Sequence, residues 1–257
     1  MAITIKNKEQ FELMRRAGRI TAQALALLRA AVKPGVTTRE LDSIAYNYIK
    51  SQGAIPSFKG YGGQMRGIPR YPATICASVN EVIVHGIPSD VPLNEGELLS
   101  IDCGAIYRGF HGDAAISLAV GGNASPLVQR LLAGGEEALR IGIIKAQAGN
   151  HVGAISSAIQ QYVEGLGFHV VHDYGGHGIG VAMHEDPHVP NEGHPSDGVI
   201  LRPGMAIAIE PMLSAGSPDV DVASDSWAVI IRDHALSSHF EHTVAITENG
   251  PEILTLP

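Results

Sequence analysis

Cysteine occurs only at Cys76 and Cys103 in 257 residues. Neither lies in a CxxC pattern, which argues against a disulfide framework or a zinc knuckle. Free thiols fit a reducing cytoplasm. No apolar run approaches the ~18 residues that a membrane-spanning helix needs. The leading stretch MAITIKNKEQ is too polar for the apolar region of a signal peptide. Positive charge is also scarce: 18 Lys and Arg against 26 Asp and Glu give a net charge of −8. A general nucleic-acid-binding role therefore has no electrostatic support. The one basic cluster, Lys6, Lys8, Arg15, Arg16 and Arg19, reads as a solvated helix face. No low-complexity segment or long linker divides the chain. The expectation is a soluble cytoplasmic protein with neither membrane nor nucleic acid as partner.

What is present is ordinary for a folded chain, with 45% apolar and 17% charged residues. Phe11, Met14, Ala17, Ile20, Ala24 and Leu28 fall at helical steps, predicting a helix over 8–31 that ends at Lys33-Pro34-Gly35. Thr38 reads as the N-cap of a second helix with Leu41, Ile44, Ala45, Tyr48 and Ile49 on its buried stripe. Short apolar, strand-like segments follow to about Ala119. The order then recurs, with helices over 125–148 and 151–166 broken at Gly149-Asn150. An offset of 114 aligns Gly35 with Gly149, Leu41 with Ile155, Tyr48 with Tyr162 and Gly53 with Gly167. An offset of 108 aligns LNEGELLSID with LRPGMAIAIE, and so Asp102 with Glu210. The shared order predicts one α+β domain over residues 1–257. It would be built from two pseudo-symmetric α-α-β-β halves, with a carboxylate from each facing a common cleft.

Asp102, Asp113, Glu210 and Glu241 each sit in or beside an apolar, strand-like run. If Tyr107-Arg108-Gly109 is a turn, Asp102 and Asp113 become cross-strand neighbours with Cβ atoms ~5 Å apart. Two facing carboxylates repel, so one stays protonated or a cation sits between them. The competing reading is an exposed hairpin with two surface aspartates, and the apolar flanks argue against it. Arg and Lys are short near these segments, Arg202 and Arg232 being the closest in sequence. Pairing four acids with side-chain cations is therefore hard. His177 lies in the glycine-rich loop Gly175-Gly176-His177-Gly178, where glycines permit close backbone approach. No GxGxxG or Walker lysine accompanies it. His151, His169, His172, His188, His194 and His234 read as structural or surface residues. Four carboxylates and one imidazole suit manganese, iron(II), cobalt or zinc in a paired arrangement better than a closed zinc site. Two such metals ~3.5–4 Å apart can activate a water, so the reaction class is metal-assisted hydrolysis.

The segments NEVIVHGIP, SIDCGAIYRGFHGDAA, GGHGIGVAMHEDP, IAIEPM and HFEHT, taken in order, resemble those of type I methionine aminopeptidases, of the pita-bread metallopeptidase fold. The resemblance covers essentially the whole chain. It implies a metal-dependent aminopeptidase that removes the initiator methionine from nascent polypeptides whose second residue is small. It implies two divalent ions (cobalt, manganese, iron(II), zinc or nickel). Asp102 would hold one, His177 and Glu210 the other, and Asp113 and Glu241 would bridge them. Glu210 would also take the proton of the attacking water, while His85 and His184 would contact the substrate. The methionine pocket would be Tyr71, Cys76, Met183 and Trp227, the last being the only tryptophan, with Ile68 nearby. A monovalent cation site would fall at Asn80, Val82 and Ser237. Ile68 and Met183 stand where relatives often carry aromatic residues, and His239 where glutamine is usual. Further expectations are a monomer and contact with the ribosome. The alternatives are a proline-specific relative of the same fold, a non-catalytic peptide-binding module, and a metal-independent hydrolase of the creatinase type. Retention of all five ligands argues against the last two.

Overall fold

The computed structural model describes residues 3–62 and 67–257. Four α-helices stand among them: α1 (Lys8–Ala31), α2 (Thr38–Ser51), α3 (Pro126–Lys145) and α4 (Val152–Gly165). The first begins and ends where its apolar spacing predicts. Its Asn7 cap accepts from the Gln10 amide while the Gln10 side chain accepts from Asn7 N, a reciprocal cap that fixes the start. The cap of α2 is Thr37 rather than Thr38: Thr37 Oγ1 accepts from Glu40 N, and the Glu40 carboxylate accepts from Thr37 N. Glu40, three residues past Thr37, selects that position over its neighbour. The helix expected over 125–148 ends earlier, at Lys145.

The largest sheet has nine strands. At its centre the Asp113 strand (Phe110–Ala119) lies beside the Glu241 strand (Glu241–Thr247). The Asp102 strand (Leu98–Tyr107) flanks the first, and the strand Ala206–Ile209, which leads into Glu210, flanks the second. Beyond that lies the His177 strand (Gly175–Gly178). The two halves therefore meet at the middle of one sheet, related as the offsets imply.

Alternation along these strands separates packing from chemistry. Ile101, Cys103, Ala105 and Ala114 join Ile20, Leu28, Leu41 and Ile49 in an apolar cluster under α1 and α2. Ile207, Ile209, Val244 and Ile246 do the same under α3 and α4 with Leu131, Ile155 and Ile159. The opposite sheet face carries the acids.

The helix α1 lies so close to the Asp113 strand that side chains are excluded at the crossing. A Cβ on Gly112 would sit 2.5 Å from Gly18 N and 2.8 Å from the Ala17 carbonyl carbon. Thr21 Oγ1 donates to Gly112 O at 2.9 Å. Gly112→Ala is expected to cost about 3 kcal/mol by overpacking, read as a fall in melting temperature of roughly 6–12 °C. An unchanged melt would show that this crossing yields easily.

Candidate metal centre

The hairpin that carries two of the acids turns on Arg108 and Gly109, both at positive φ (47° and 87°). This two-residue turn pairs Tyr107 with Phe110 and sets the register. Asp102 consequently lies opposite Ala115, and Asp113 opposite Gly104. The expected direct pairing of the two aspartates is therefore wrong by one diagonal step. Both still point to the same sheet face, and burial in the shared floor makes each harder to ionise.

The next strand continues the row. Ala115 also pairs with Glu241, so Asp102, Ala115 and Glu241 lie side by side across three strands. In the next ladder His242 pairs with Ile209, and one step further along brings Glu241 to Glu210. His177 sits in a strand, not in the loop its glycines suggested, because glycine is needed there for backbone approach. A Cβ on Gly176 would meet Ala208 O at 2.1 Å, and one on Gly178 would meet Asp186 O at 2.1 Å. The His177 Nδ1 is 2.9 Å from Gly178 O. That contact places its proton on Nδ1 and leaves the lone pair of Nε2 available to a metal ion.

The structure brings the sequence-derived residues round one cavity of about 500 Å³. Asp102, Asp113, His177, Glu210 and Glu241 form its floor, with His85 and His184 beside them, and Tyr71, Cys76, Met183 and Trp227 line it too. Phe58, Tyr61, Tyr174, Val222 and Ser226 complete the lining and were not anticipated. Their signals lay in fold contacts rather than in any motif. Ile68 stands at the rim, and Asn80 and Ser237 meet away from the cavity, Ser237 N and Oγ both donating to Asn80 O at 3.0 Å.

The floor holds more negative charge than the protein neutralises. Asp113 and Glu241 are each 2% exposed. Asp102 Oδ1, Asp113 Oδ1 and Glu241 Oε1 are buried without a hydrogen-bond partner. No Arg or Lys lines the cavity among the described residues. Burial pushes the Asp102 carboxyl up to about 7 and that of Glu210 up to about 8. Asp113 and Glu241 are driven well above the carboxylate range, first by burial and then by neighbouring charge, that of Asp102 on Asp113 and that of Asp113 on Glu241. Burial holds His177 down at about 3 and His85 at about 4, so both are neutral near pH 7. Ligand atoms of Asp113, His177 and Glu241 lie within 4.8 Å of one another. Unpartnered buried oxygens and a neutral imidazole fit a divalent cation.

A family model for metallopeptidase family M24 matches residues 12–248. The chain belongs to metallopeptidase family M24. Within it, the chain is 50% identical to the methionine aminopeptidase of Clostridium acetobutylicum over 99% of both chains. It is 49% identical to methionine aminopeptidase 1 of Bacillus subtilis, over 98% of this chain and 99% of that one. The crystal structure of the Thermotoga maritima methionine aminopeptidase superposes with a TM-score of 0.95 at 41% identity, covering both chains fully. The prolidase of Pyrococcus furiosus shares the fold (TM-score 0.77, 25% identity), but this chain spans only 65% of its length. The pita-bread fold expected from the sequence is thereby shown, and metal-dependent peptidase chemistry with it.

Two further features surround the centre. His85 sits at φ 61°, a left-handed conformation costing of order 1 kcal/mol for a side-chain-bearing residue. Lys6, read from the sequence as part of a solvated basic face, is instead buried at 7% exposure. Its Nζ donates to Glu185 Oε2 at 2.8 Å, and Glu185 Oε1 accepts from Val181 N and Ala182 N. The N-terminal segment thus pins the loop that carries Met183 and His184.

Proposed function

We infer that the protein is a methionine aminopeptidase, cleaving the initiator methionine from peptides and nascent chains whose second residue is small. The observation that carries this is the floor of unpartnered buried acids lying beside an apolar recess. In that recess Phe58, Tyr71, Ala73, Cys76 and Met183 form one cluster, with Trp227 packed against it. The Tyr71 and Trp227 rings meet edge to face at 5.2 Å, and Trp227 Nε1 donates to Pro69 O at 3.0 Å. An apolar slot with a soft sulfur at Cys76 and aromatic walls suits a thioether side chain.

Asp102 would hold one divalent ion, His177 and Glu210 the other, with Asp113 and Glu241 shared between them. Bound ions of this kind lower the pKa of a water and polarise the scissile carbonyl. Glu210 takes the proton of the attacking water and can return it to the departing amine. His184 donates to the developing oxyanion, and His85 stands near the peptide nitrogen. Peptides without a free α-amine do not bind productively, because the amine seeks the Asp102 side of the floor. The donor set accepts manganese, iron(II), cobalt, zinc or nickel, and availability selects among them. The whole described chain serves this one cleft as a single catalytic domain. Two free thiols, Cys76 and Cys103, agree with a reducing cytoplasm.

The metal-loaded protein is expected to release methionine from Met-Ala-Ser and to leave Xaa-Pro peptides intact. Preferential cleavage of Xaa-Pro would move the protein to the prolidase branch. No methionine release with any of the five metals would overturn the reading.

A further inference from the structure

The Glu210 carboxylate lies between two imidazoles, one on each oxygen. Its Oε1 is 3.6 Å from His177 Nε2, and its Oε2 is 3.3 Å from His239 Nε2. The His239 Nε2 atom is buried and has no hydrogen-bond partner of good geometry. The residue is 2% exposed and ends the short strand Ser237–His239.

Its position is fixed from behind. His239 N donates to Ser117 Oγ at 3.0 Å, Ser117 Oγ lies 2.7 Å from His239 O, and Ser100 Oγ is 2.7 Å from Ser117 Oγ. Met212 pairs with His239 across the adjoining strand. The Glu210 backbone is held as well, its carbonyl accepting from Asn191 Nδ2 at 2.9 Å. Both backbones are therefore anchored; Glu210 Oε2 is the carboxylate oxygen at 3.3 Å from the imidazole, and Asp102 is a further charged neighbour.

We propose that His239 is a positioning residue for the metal centre: its Nε2–H engages Glu210 Oε2 and keeps Oε1 turned toward His177. The proposal rests on the reading of Glu210 and His177 as metal ligands. A ligating carboxylate whose second oxygen is held by a donor is oriented before the ion arrives. Losing such a partner typically costs roughly 10- to 100-fold in metal affinity. His239 approaches the Glu210 oxygen that does not face His177, the place a ligand's partner would take.

Two polar variants separate the possibilities. His239→Gln puts an amide N–H near the place of Nε2, whereas His239→Asn places its amide near that of Nδ1 and falls short of Glu210. Isothermal titration of cobalt(II) into the metal-free proteins is expected to show His239→Asn weakened roughly 10- to 100-fold and His239→Gln close to the parent. The visible spectrum of the cobalt(II)-loaded His239→Gln protein is expected to match the parent, since no nitrogen ligand is lost. Equal affinity in all three proteins would overturn the proposal. So would equal weakening of both variants with a changed cobalt spectrum, which would make His239 a ligand. Failure of the parent itself to bind cobalt(II) would instead overturn the metal-centre reading beneath it.

Discussion

His184→Ala is expected to lower kcat for Met-Ala-Ser roughly 100- to 10,000-fold while leaving divalent-metal affinity within about threefold. His184 reaches the cavity beside the donor atoms, not among them: its ring centroid is 4.2 Å from that of His177. Its Nδ1 is 2.6 Å from the Tyr61 hydroxyl. Burial lowers its pKa, so the ring is neutral near pH 7. If Tyr61 donates to Nδ1, the proton of a neutral ring must lie on Nε2. That leaves one N–H free to meet a carbonyl oxygen as negative charge develops there. An alanine removes this donor and opens a gap, yet takes nothing from Asp102, Asp113, His177, Glu210 or Glu241. Single-turnover kinetics and calorimetric metal titration on the same preparation decide it. A loss of metal affinity parallel to the loss of turnover would place His184 in the metal shell and sink its assignment to the oxyanion.

Why that site was legible in the sequence, and where legibility stopped, follows from the range of the interactions involved. Helix α1 announces itself because Met14, Ala17, Ile20 and Leu28 recur at a local period and Pro34 stops it. The acids stood out because a carboxylate within an apolar strand is costly wherever its partner lies. The register of Asp102 and Asp113 differs by one step from the expected one because it depends on Arg108 and Gly109 both adopting positive φ, and nothing at Arg108 advertises that. The glycines at His177 predict a loop, because glycines mark turns. Here they serve close approach to Ala208 and Asp186. The burial of Lys6 has no local signal, because its partner, Glu185, is 179 residues away. His239 carried a sequence signal only as a departure from its relatives, and its contact with Glu210 exists only once the strands assemble.

The metal-free protein is expected to lose stability as pH rises from about 6.5 to about 8, and the metal-loaded protein is not. In the folded, metal-free chain the Asp102 carboxyl moves from 3.8 to about 7, and that of Glu210 from 4.5 to about 8. Asp113 and Glu241 shift upward as well. A raised carboxyl pKa means that the folded state binds its proton more tightly than the unfolded chain does. Its contribution to stability is therefore complete below the ordinary carboxylate range and lost as pH climbs through the folded value. The buried histidines work the other way. His177 and His85 are lowered from 6.5 to about 3 and about 4, so their penalty grows as pH falls below 6.5 and is absent above about 7. Between pH 5 and 6.5 the two trends oppose each other, whereas above 7 the acids act alone. With up to two protons retained on folding, the slope is at most about 3 kcal/mol per pH interval of one at the lower end and fades above the two folded values; 3 kcal/mol corresponds to roughly 6–12 °C in melting temperature for a chain of this size. Divalent ions replace those protons, so loading should flatten the slope, and metal affinity should rise over the same interval with proton release. Thermal melts of metal-free and loaded protein across that range test this directly. Parallel slopes in the two forms would mean that the protons lost between pH 6.5 and 8 do not come from the floor of the cavity.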